Sequence, residues 1–196
     1  MLTNKFKINY SIGSIANGIK TDTFTFFLLF FYSNIIGLKP ALAGLAIFIA
    51  LCVDAVTDPL MGTISDRTKS SLGRRHPYML ISFIPMSLGY VFLFAPRQDW
   101  DMSQNDLFVW MTIFTVLTRI GMTLFDIPHR AFGGEVTKNY KERTLLMSWR
   151  EMVGWVAGLS NAFLGYGIFF ASTPEYPQGQ LNPDAWFPFA VTGAIF

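Results

Sequence analysis

Long apolar runs fill most of this chain, and short polar stretches separate them. A bilayer crossing takes about 20 residues, and the runs approach that length over residues 10–36, 41–64, 77–95, 107–127, 145–171 and, incompletely, 185–196. A helix cannot end in the hydrocarbon core with its last carbonyls unpaired. The pattern therefore predicts an all-α membrane protein with six helices, the sixth truncated, and we expect a fragment of something longer.

The composition supports a membrane protein and argues against several other classes. Of the 196 residues, 52% are hydrophobic and 14% are charged, whereas a soluble domain carries about a quarter charged residues. The single cysteine, Cys52, excludes an internal disulfide or a CxxC motif. Because the glycine-rich pieces do not follow strands and no hydrolase, nuclease or redox constellation is present, we expect no enzyme, no cofactor and no nucleic-acid partner.

The distribution of basic residues predicts the orientation. Two loops and the N-terminus are rich in lysine and arginine, whereas the loops between them carry only Lys39 and Arg97. The basic residues are Lys5, Lys7, Arg67, Lys69, Arg74, Arg75, Arg130, Lys138, Lys141 and Arg143. The positive-inside rule then places the N-terminus and both basic loops in the cytoplasm of a multi-pass protein of the cell (inner) membrane.

Eight charged side chains fall within the apolar runs, with two threonines close to them. Each charge near the bilayer centre costs about 2.5–3.5 kcal/mol on insertion scales. These residues are Lys20, Asp22, Asp54, Thr57, Asp58, Arg119, Thr123, Asp126, Arg150 and Glu151. They indicate either structural ion pairs between helices or a water-filled cavity with a function.

The stretch DAVTDP, residues 54–59, predicts half of a cation or proton site. Asp54 and Asp58 are four residues apart and share one helix face, so their carboxylates repel and favour a shared proton or a bound cation. Thr57 adds a hydroxyl on a neighbouring face, and Pro59 leaves the carbonyl of Ala55 without its helical donor. The alternative is a kinked helix whose aspartates cap or pair elsewhere.

The fourth run offers a second polar stripe, made of Arg119, Thr123 and Asp126. An aspartate can accept two hydrogen bonds from a polyol, and an arginine donates to hydroxyls or carboxylates. The stripe therefore predicts a substrate-binding face. His76 and His129 have no second ligand at metal-binding spacing, so neither is predicted to bind a metal.

Two segments resemble a known family. DAVTDPLMGTISDRTKSSLGRRHPYMLI (54–81) and FDIPHRAFGGEVTKNYKERTLLMSWR (125–150) are similar to the glycoside–pentoside–hexuronide:cation symporters, the melibiose-carrier branch of the major facilitator superfamily. The resemblance implies a twelve-helix transporter whose N-terminal six-helix bundle is this chain. It implies symport of a sugar, glycoside or uronide with sodium or a proton, by alternating access.

The resemblance also implies a cation site on the second and fourth helices. The matching positions are Asp54, Thr57, Asp58 and Thr123. Asp54 and Asp58 would be the sodium ligands if the ion is not a proton. Thr57 stands where the melibiose carrier has asparagine, so the resemblance leaves sodium, lithium and protons open.

Substrate contacts follow from the same resemblance. Asp126 and Arg150 match sugar-binding residues of the family, and Arg119 lies on the stripe of Asp126. Gly18 falls where the melibiose carrier has a sugar-binding acid, and Asp22 lies one turn further on the same face. Arg130 replaces a stacking tryptophan, which would suit an anionic substrate such as a uronide.

The loop after the second run resembles the superfamily's cytoplasmic gating motif. The matching residues are Gly62, Asp66, Arg67, Gly73, Arg74 and Arg75. We expect Gly62 to permit close approach of helices, and Asp66 to pair with an arginine of this loop or with the missing half. The alternative is that the arginines serve only as a topology signal. Gly154 and Gly158 predict close helix packing.

Two other functions remain open. One is a transporter of the same build that carries a lysolipid or another amphipathic substrate. The other is a non-transporting half-carrier subunit, which a reading frame continuing past Phe196 into six further spans would exclude. The expected partners are a small-molecule substrate, membrane lipid and a C-terminal six-helix half.

Overall fold

The computed structural model describes residues 2–195, and every regular element in that range is helical. Phe196, the last residue of the sixth predicted span, lies outside the described residues. The α-helices are α1 (Asn4–Ile12), α2 (Ser14–Phe26), α3 (Leu28–Phe30), α4 (Pro40–Arg67), α5 (His76–Ile81), α6 (Phe83–Leu93), α7 (Gln104–Glu135), α8 (Tyr140–Leu164) and α9 (Trp186–Ile195). Two π-helical turns, Phe31–Ile36 and Gly165–Phe169, continue α3 and α8. The prediction of an all-α fold is confirmed.

Four helical segments in the described range are long and apolar enough to cross a membrane: Pro40–Arg67, His76–Leu93, Gln104–Glu135 and Tyr140–Phe169. The helices run past the apolar residues into polar flanks. Helix α7 begins where Ser103 and Asp106 form a capping box and continues through Pro128 to Glu135, beyond the predicted 107–127. Hydropathy identifies the apolar part of a helix, whereas capping residues determine where the helix begins.

The first predicted span, 10–36, is interrupted rather than continuous. Helix α1 ends at Ile12, α2 runs from Ser14 to Phe26, and α3 is followed by the π-helical turn. The turn ends at Gly37, whose φ of 84° is left-handed and suits glycine. Hydrophobic periodicity does not reveal such breaks, because each piece keeps the same apolar faces.

Two helix pairs frame the interior: α2 packs along α8, and α4 packs along α7. A Cβ placed on Gly18 would overlap the carbonyl of Gly154, and one on Gly158 would overlap the carboxylate of Asp22. The predicted packing role is thereby confirmed for Gly158. A Cβ on Gly154 itself would make only ordinary contacts, the nearest at 3.6 Å from the Ser14 carbonyl, so at that position it is the backbone that lies close to Gly18. Helix α6 packs against α7, and α9 packs against α6. Helix α7 also contacts α2 and α8, so the polar faces of α2, α4, α7 and α8 meet.

An aromatic core joins the end of the first segment to α6 and α9. It contains Phe27, Phe31, Tyr32, Phe94, Trp186 and Phe189, all fully buried. Lys20 is also fully buried, and its Nζ donates to the Gly193 carbonyl at 3.1 Å and lies 5.3 Å from the centre of the Tyr90 ring. Lys20 therefore ties α2 to α9 and does not line the cavities described below.

Candidate functional site

Two adjacent cavities lie among α2, α4, α7 and α8. The α2–α8 cavity, of about 130 Å³, is lined by Ser14, Asn17, Gly18, Thr21, Asp22, Arg130, Arg150, Glu151, Gly154 and Trp155. The α4–α7 cavity, of about 180 Å³, is lined by Asn17, Thr21, Asp54, Asp58, Arg119, Met122, Thr123, Asp126, Ile127 and Arg130. Asn17, Thr21 and Arg130 line both, so the two cavities share a wall.

Asp58 and Thr123 meet across the α4–α7 interface, although they are 65 residues apart in sequence. The Thr123 hydroxyl donates to Asp58 Oδ1 at 2.7 Å. The predicted cation-site residues of the second and fourth runs are thus neighbours. A carboxylate and a hydroxyl supply the oxygen ligands that a small cation requires.

Asp54 has a different partner. Arg119 of α7 donates to Asp54 Oδ2 from Nη1. Asp54 Oδ1 is buried and has no hydrogen-bond partner among the described residues. The sequence-based picture of two unshielded carboxylates needs correction here, because a guanidinium neutralises one of them.

Thr57 lies outside the set of residues that line the α4–α7 cavity. Its hydroxyl oxygen is buried and has no partner among residues 2–195. The position next to Asp58 turns Thr57 to a different face of α4. The structure therefore brings Asp54, Asp58 and Thr123 of the predicted cation site together and leaves Thr57 apart.

Asp126 is the centre of an ion-pair cluster between the two cavities. Arg130 Nε donates to Asp126 Oδ2 at 2.6 Å, and Arg150 Nη2 donates to Asp126 Oδ1. Arg150 also donates to Glu151, which lies 3.9 Å from Arg130. Three residues predicted from the family resemblance, Asp126, Arg130 and Arg150, therefore form one network. The sequence left two alternatives for these charged residues, ion pairs between helices or a cavity, and the structure contains both side by side.

His129 contacts Arg150 on the side away from the two cavities. Arg150 Nε donates to His129 Nδ1 at 3.3 Å, and His129 Nε2 donates to the Tyr10 carbonyl at 3.1 Å. The ring stacks on Tyr10, with centroids 4.3 Å apart, and is 3% exposed. In this arrangement Nδ1 is the acceptor and Nε2 carries the proton. Within the described residues, no group of three or more His, Cys, Asp or Glu side chains could hold a metal ion.

The two predicted positions on α2 differ in what they can do. Gly18 lines the α2–α8 cavity, but its Cα faces the backbone of Gly154, so a larger side chain there would separate the helices. Asp22 lines the same cavity, and its side chain is buried with Oδ2 lacking a partner among the described residues. Asp22 is therefore the α2 carboxylate available to this cavity.

A second charged cluster lies at the other end of α4 and α7. Arg75 Nη2 donates to Asp66 Oδ1 at 2.8 Å and to Glu135 Oε1 at 2.9 Å, and Arg74 donates to Glu135 at 3.3 Å. The Arg75 side chain is 7% exposed. The predicted pairing of Asp66 with a loop arginine is confirmed.

The expectation for Gly62 is wrong. A Cβ built at Gly62 would approach the Ile127 side chain at 3.8 Å, an ordinary contact, so no close helix approach depends on this glycine in residues 2–195. Gly73 has a left-handed φ of 91°, which turns the loop toward Arg74 and Arg75. Arg67, the remaining predicted residue of the motif, is exposed.

Sequence reasoning missed three residues of these clusters. Asn17 donates to Asp126 Oδ1 at 3.4 Å, and Asn17 and Thr21 line both cavities. Glu135 completes the cluster around Arg75. The spacing of four between Asn17 and Thr21 is visible in the sequence and places both on one face of α2. Glu135 gave no such signal, because its partners, Arg74 and Arg75, come from the loop after α4.

Comparisons with known proteins identify the class. The sequence profile described as "MFS/sugar transport protein" matches residues 9–196. The chain is 34% identical over 179 residues to the uncharacterized symporter sll1374 of Synechocystis sp., with 90% of this chain and 33% of that protein covered. It is 30% identical over 164 residues to the inner membrane symporter YicJ of Escherichia coli, with coverage of 84% and 35%.

A third relative is the sodium-dependent lysophosphatidylcholine symporter 1-A of Danio rerio, 30% identical over 179 residues, with 88% of this chain and 32% of that protein covered. The chain spans about a third of the length of these relatives. These matches, and a helical fold with four segments long and apolar enough to cross a membrane, place the chain in a family of membrane transport proteins. The chain belongs to the MFS/sugar transport protein family, and the resemblance to the glycoside–pentoside–hexuronide:cation symporters is confirmed.

Proposed function

We propose that this chain is the N-terminal half of a twelve-helix symporter that couples uptake of a sugar, glycoside or uronide to a monovalent cation, sodium or a proton. One observation carries the proposal. The Asp58–Thr123 pair and the Asp126–Arg150 pair lie in cavities that share Asn17, Thr21 and Arg130. Ion and substrate would thus bind side by side.

The coupling ion would bind in the α4–α7 cavity at Asp58. The Thr123 hydroxyl already donates to this carboxylate and can rotate to present its lone pairs to a cation. A proton would bind the same carboxylate. The ion is cargo here, and the proposed function requires no resident cofactor.

The substrate would bind in the α2–α8 cavity. Asp22 would accept hydrogen bonds from sugar hydroxyls, and Arg150 would donate to them. Asp126 lines the adjacent α4–α7 cavity and would act at the substrate by holding Arg150. Trp155 lines the same cavity and offers an aromatic face for a sugar ring. Arg130, half-exposed between both cavities, suits a substrate carboxylate and favours a uronide.

Coupling would run through α7. Thr123 and Asp126 are three residues apart on this helix and contact the ion site and the substrate site respectively. An ion that orders the α4–α7 contact raises substrate affinity, and substrate raises ion affinity by the same factor. The two halves of such carriers rock around a site near the bilayer midplane, and the Asp66–Arg75–Glu135 cluster would hold one end closed. We propose that this end and the N-terminus face the cytoplasm.

The test is uptake by the full-length protein in membrane vesicles. The probes are radiolabelled methyl glycosides and methyl glucuronides, driven by an inward sodium gradient or by a pH gradient. One of the gradients should drive accumulation above equilibrium, and Asp58→Asn should abolish it because the ion loses its carboxylate. Asp184→Asn is the matched control, because it makes the same change at an exposed aspartate outside both cavities. Normal uphill uptake by Asp58→Asn would contradict the proposed ion site.

A lysolipid substrate is the second candidate, favoured by one further cavity. This cavity, of about 340 Å³, lies between α2, α8 and α9. It is lined mainly by apolar side chains, among them Ile15, Ile19, Leu164, Ile168 and Phe189. An acyl chain would fit such a lining. Uptake of labelled lysophosphatidylcholine that unlabelled lysophosphatidylcholine reduces and the glycosides do not would favour this candidate over a sugar.

A further inference from the structure

The carboxylates of the α4–α7 cavity are not equivalent. Asp126 is paired with Arg130 and Arg150, and Asp54 is paired with Arg119. Asp58 has a hydroxyl partner, Thr123, and no cationic partner among residues 2–195. One carboxylate of this cavity is therefore left without an opposing charge.

Arg119 is positioned to remain on Asp54. The Arg119 side chain is 24% exposed and that of Asp54 is 18% exposed. The guanidinium carbon lies 5.3 Å from the centre of the Phe24 ring, which packs one face of the group. Separating a partly buried ion pair leaves uncompensated charges in a poorly hydrated place, so a diffusing monovalent cation competes badly with this tethered one.

On the proposed cation-coupled function, on which this inference rests, we infer that Arg119 is a built-in cation of the ion site. It occupies Asp54, and the coupling ion binds Asp58 with Thr123. The paired aspartates of the DAVTDP stretch thus form a site with one open carboxylate. The positive charge that a second bound ion would bring is supplied by the chain.

This arrangement makes Arg119 a determinant of ion choice. One carboxylate and one hydroxyl supply fewer oxygen ligands than two carboxylates, and sodium depends on several oxygen ligands, as other small cations do. The guanidinium also repels an approaching cation. Removing Arg119 should therefore open a second carboxylate and strengthen sodium binding.

The experiment is a sodium titration of the full-length protein in detergent, followed by thermal unfolding at fixed pH, with choline keeping the ionic strength constant. A ligand that binds only the folded state raises its stability. Arg119→Gln should bind sodium at least about tenfold more tightly than wild type, which corresponds to about 1.4 kcal/mol. Arg119→Lys keeps the charge and should gain less sodium affinity than Arg119→Gln.

The double variant Arg119→Gln/Asp54→Asn removes both members of the ion pair and leaves no charge unpaired. It should lose the gain of the single variant, because the second carboxylate is gone. Its sodium affinity should lie within about threefold of wild type, which corresponds to about 0.65 kcal/mol. This variant keeps the test informative if Arg119→Gln does not fold. Sodium affinity lost in the double variant, or unchanged in a folded Arg119→Gln, would overturn the role of Arg119.

The two proposals fail in distinguishable ways. If wild type shows gradient-driven uptake but Arg119→Gln does not gain sodium affinity, the inference about Arg119 is wrong and the proposed function stands. If Arg119→Gln gains sodium affinity through Asp54 but no gradient drives uptake by wild type, the built-in cation stands and the symport function is wrong.

Discussion

At the scale of single side chains, His129 determines how Arg150 is presented to the α2–α8 cavity. Both ring nitrogens are engaged, Nε2 by the Tyr10 carbonyl and Nδ1 by Arg150. The guanidinium is thereby held at Asp126 and Glu151. His129 does not line either cavity, so we assign it a positioning role.

On the proposed function, replacing His129 by leucine should weaken substrate binding and leave ion binding intact. The Arg150 Nε would lose its acceptor, and a hydrogen bond to a charged group is worth about 1.5–3 kcal/mol. We expect KM for the transported glycoside to rise at least about tenfold, while sodium affinity at Asp58 stays near wild type. Uptake kinetics and sodium titration of the same variant measure the two effects.

A conservative variant separates positioning from general damage. The Asn side-chain oxygen lies close to the place of His Nδ1, so His129→Asn should recover part of the lost affinity. Equal KM values for His129→Leu and His129→Asn would contradict the positioning role. So would a parallel loss of sodium affinity in His129→Leu.

The sequence predicted which polar side chains come together in the bundle better than it predicted the contacts between them. Asp58 with Thr123 was expected, because both match cation-site positions of the family that the chain resembles. Arg119 was expected at the substrate, yet it binds Asp54. The choice depends on how α7 rotates against α4, and that rotation depends on side chains all along both helices. No spacing within one helix reports it.

At the scale of elements, α2 and α8 owe their close approach to glycine. A Cβ on Gly18 would overlap the backbone of Gly154, which cannot move aside as a side chain can. The carboxylate that the melibiose carrier has at this position therefore has no room in this chain. Asp22, one turn later, takes the buried place against Gly158.

Gly18→Ala should destabilise the protein by forcing α2 away from α8. Overpacking of this kind costs about 1–3 kcal/mol, and thermal unfolding in detergent should show a lower Tm. Gly44→Ala is the matched control, because a Cβ there meets nothing within 4 Å, and alanine favours a helix. A Gly18→Ala variant as stable as Gly44→Ala would contradict a close contact between α2 and α8.

Helix type followed from the sequence, and helix continuity did not. The apolar run 41–64 corresponds to α4, which begins at Pro40 and ends at Arg67. The run 10–36 is divided among α1, α2, α3 and a π-helical turn. The breaks near Gly13 and Phe27 do not change the apolar content, so hydropathy does not register them, whereas a proline at a helix start is a local signal.

At the scale of the whole molecule, charge is unevenly distributed between the two ends of the bundle. The loops after α4 and α7 carry most of the loop arginines and lysines, and Asp66, Arg75 and Glu135 join the ends of those helices. The segments after α6 and α8 carry few cations. On the positive-inside rule, the first end is the one that we propose to face the cytoplasm.

Cysteine labelling of the full-length protein in intact cells tests this orientation. In a cysteine-free background, with Cys52 replaced by serine, Ser71→Cys lies in the loop after α4 and Gln178→Cys in the segment after α8, and both positions are exposed. A membrane-impermeant maleimide should label Gln178→Cys in intact cells and Ser71→Cys only after permeabilisation. Labelling of both sites in permeabilised cells is the control for reactivity. The reverse pattern in intact cells would place the Asp66–Arg75–Glu135 cluster at the outer surface. The α4–α7 cavity would then be closed from the opposite side to the one proposed.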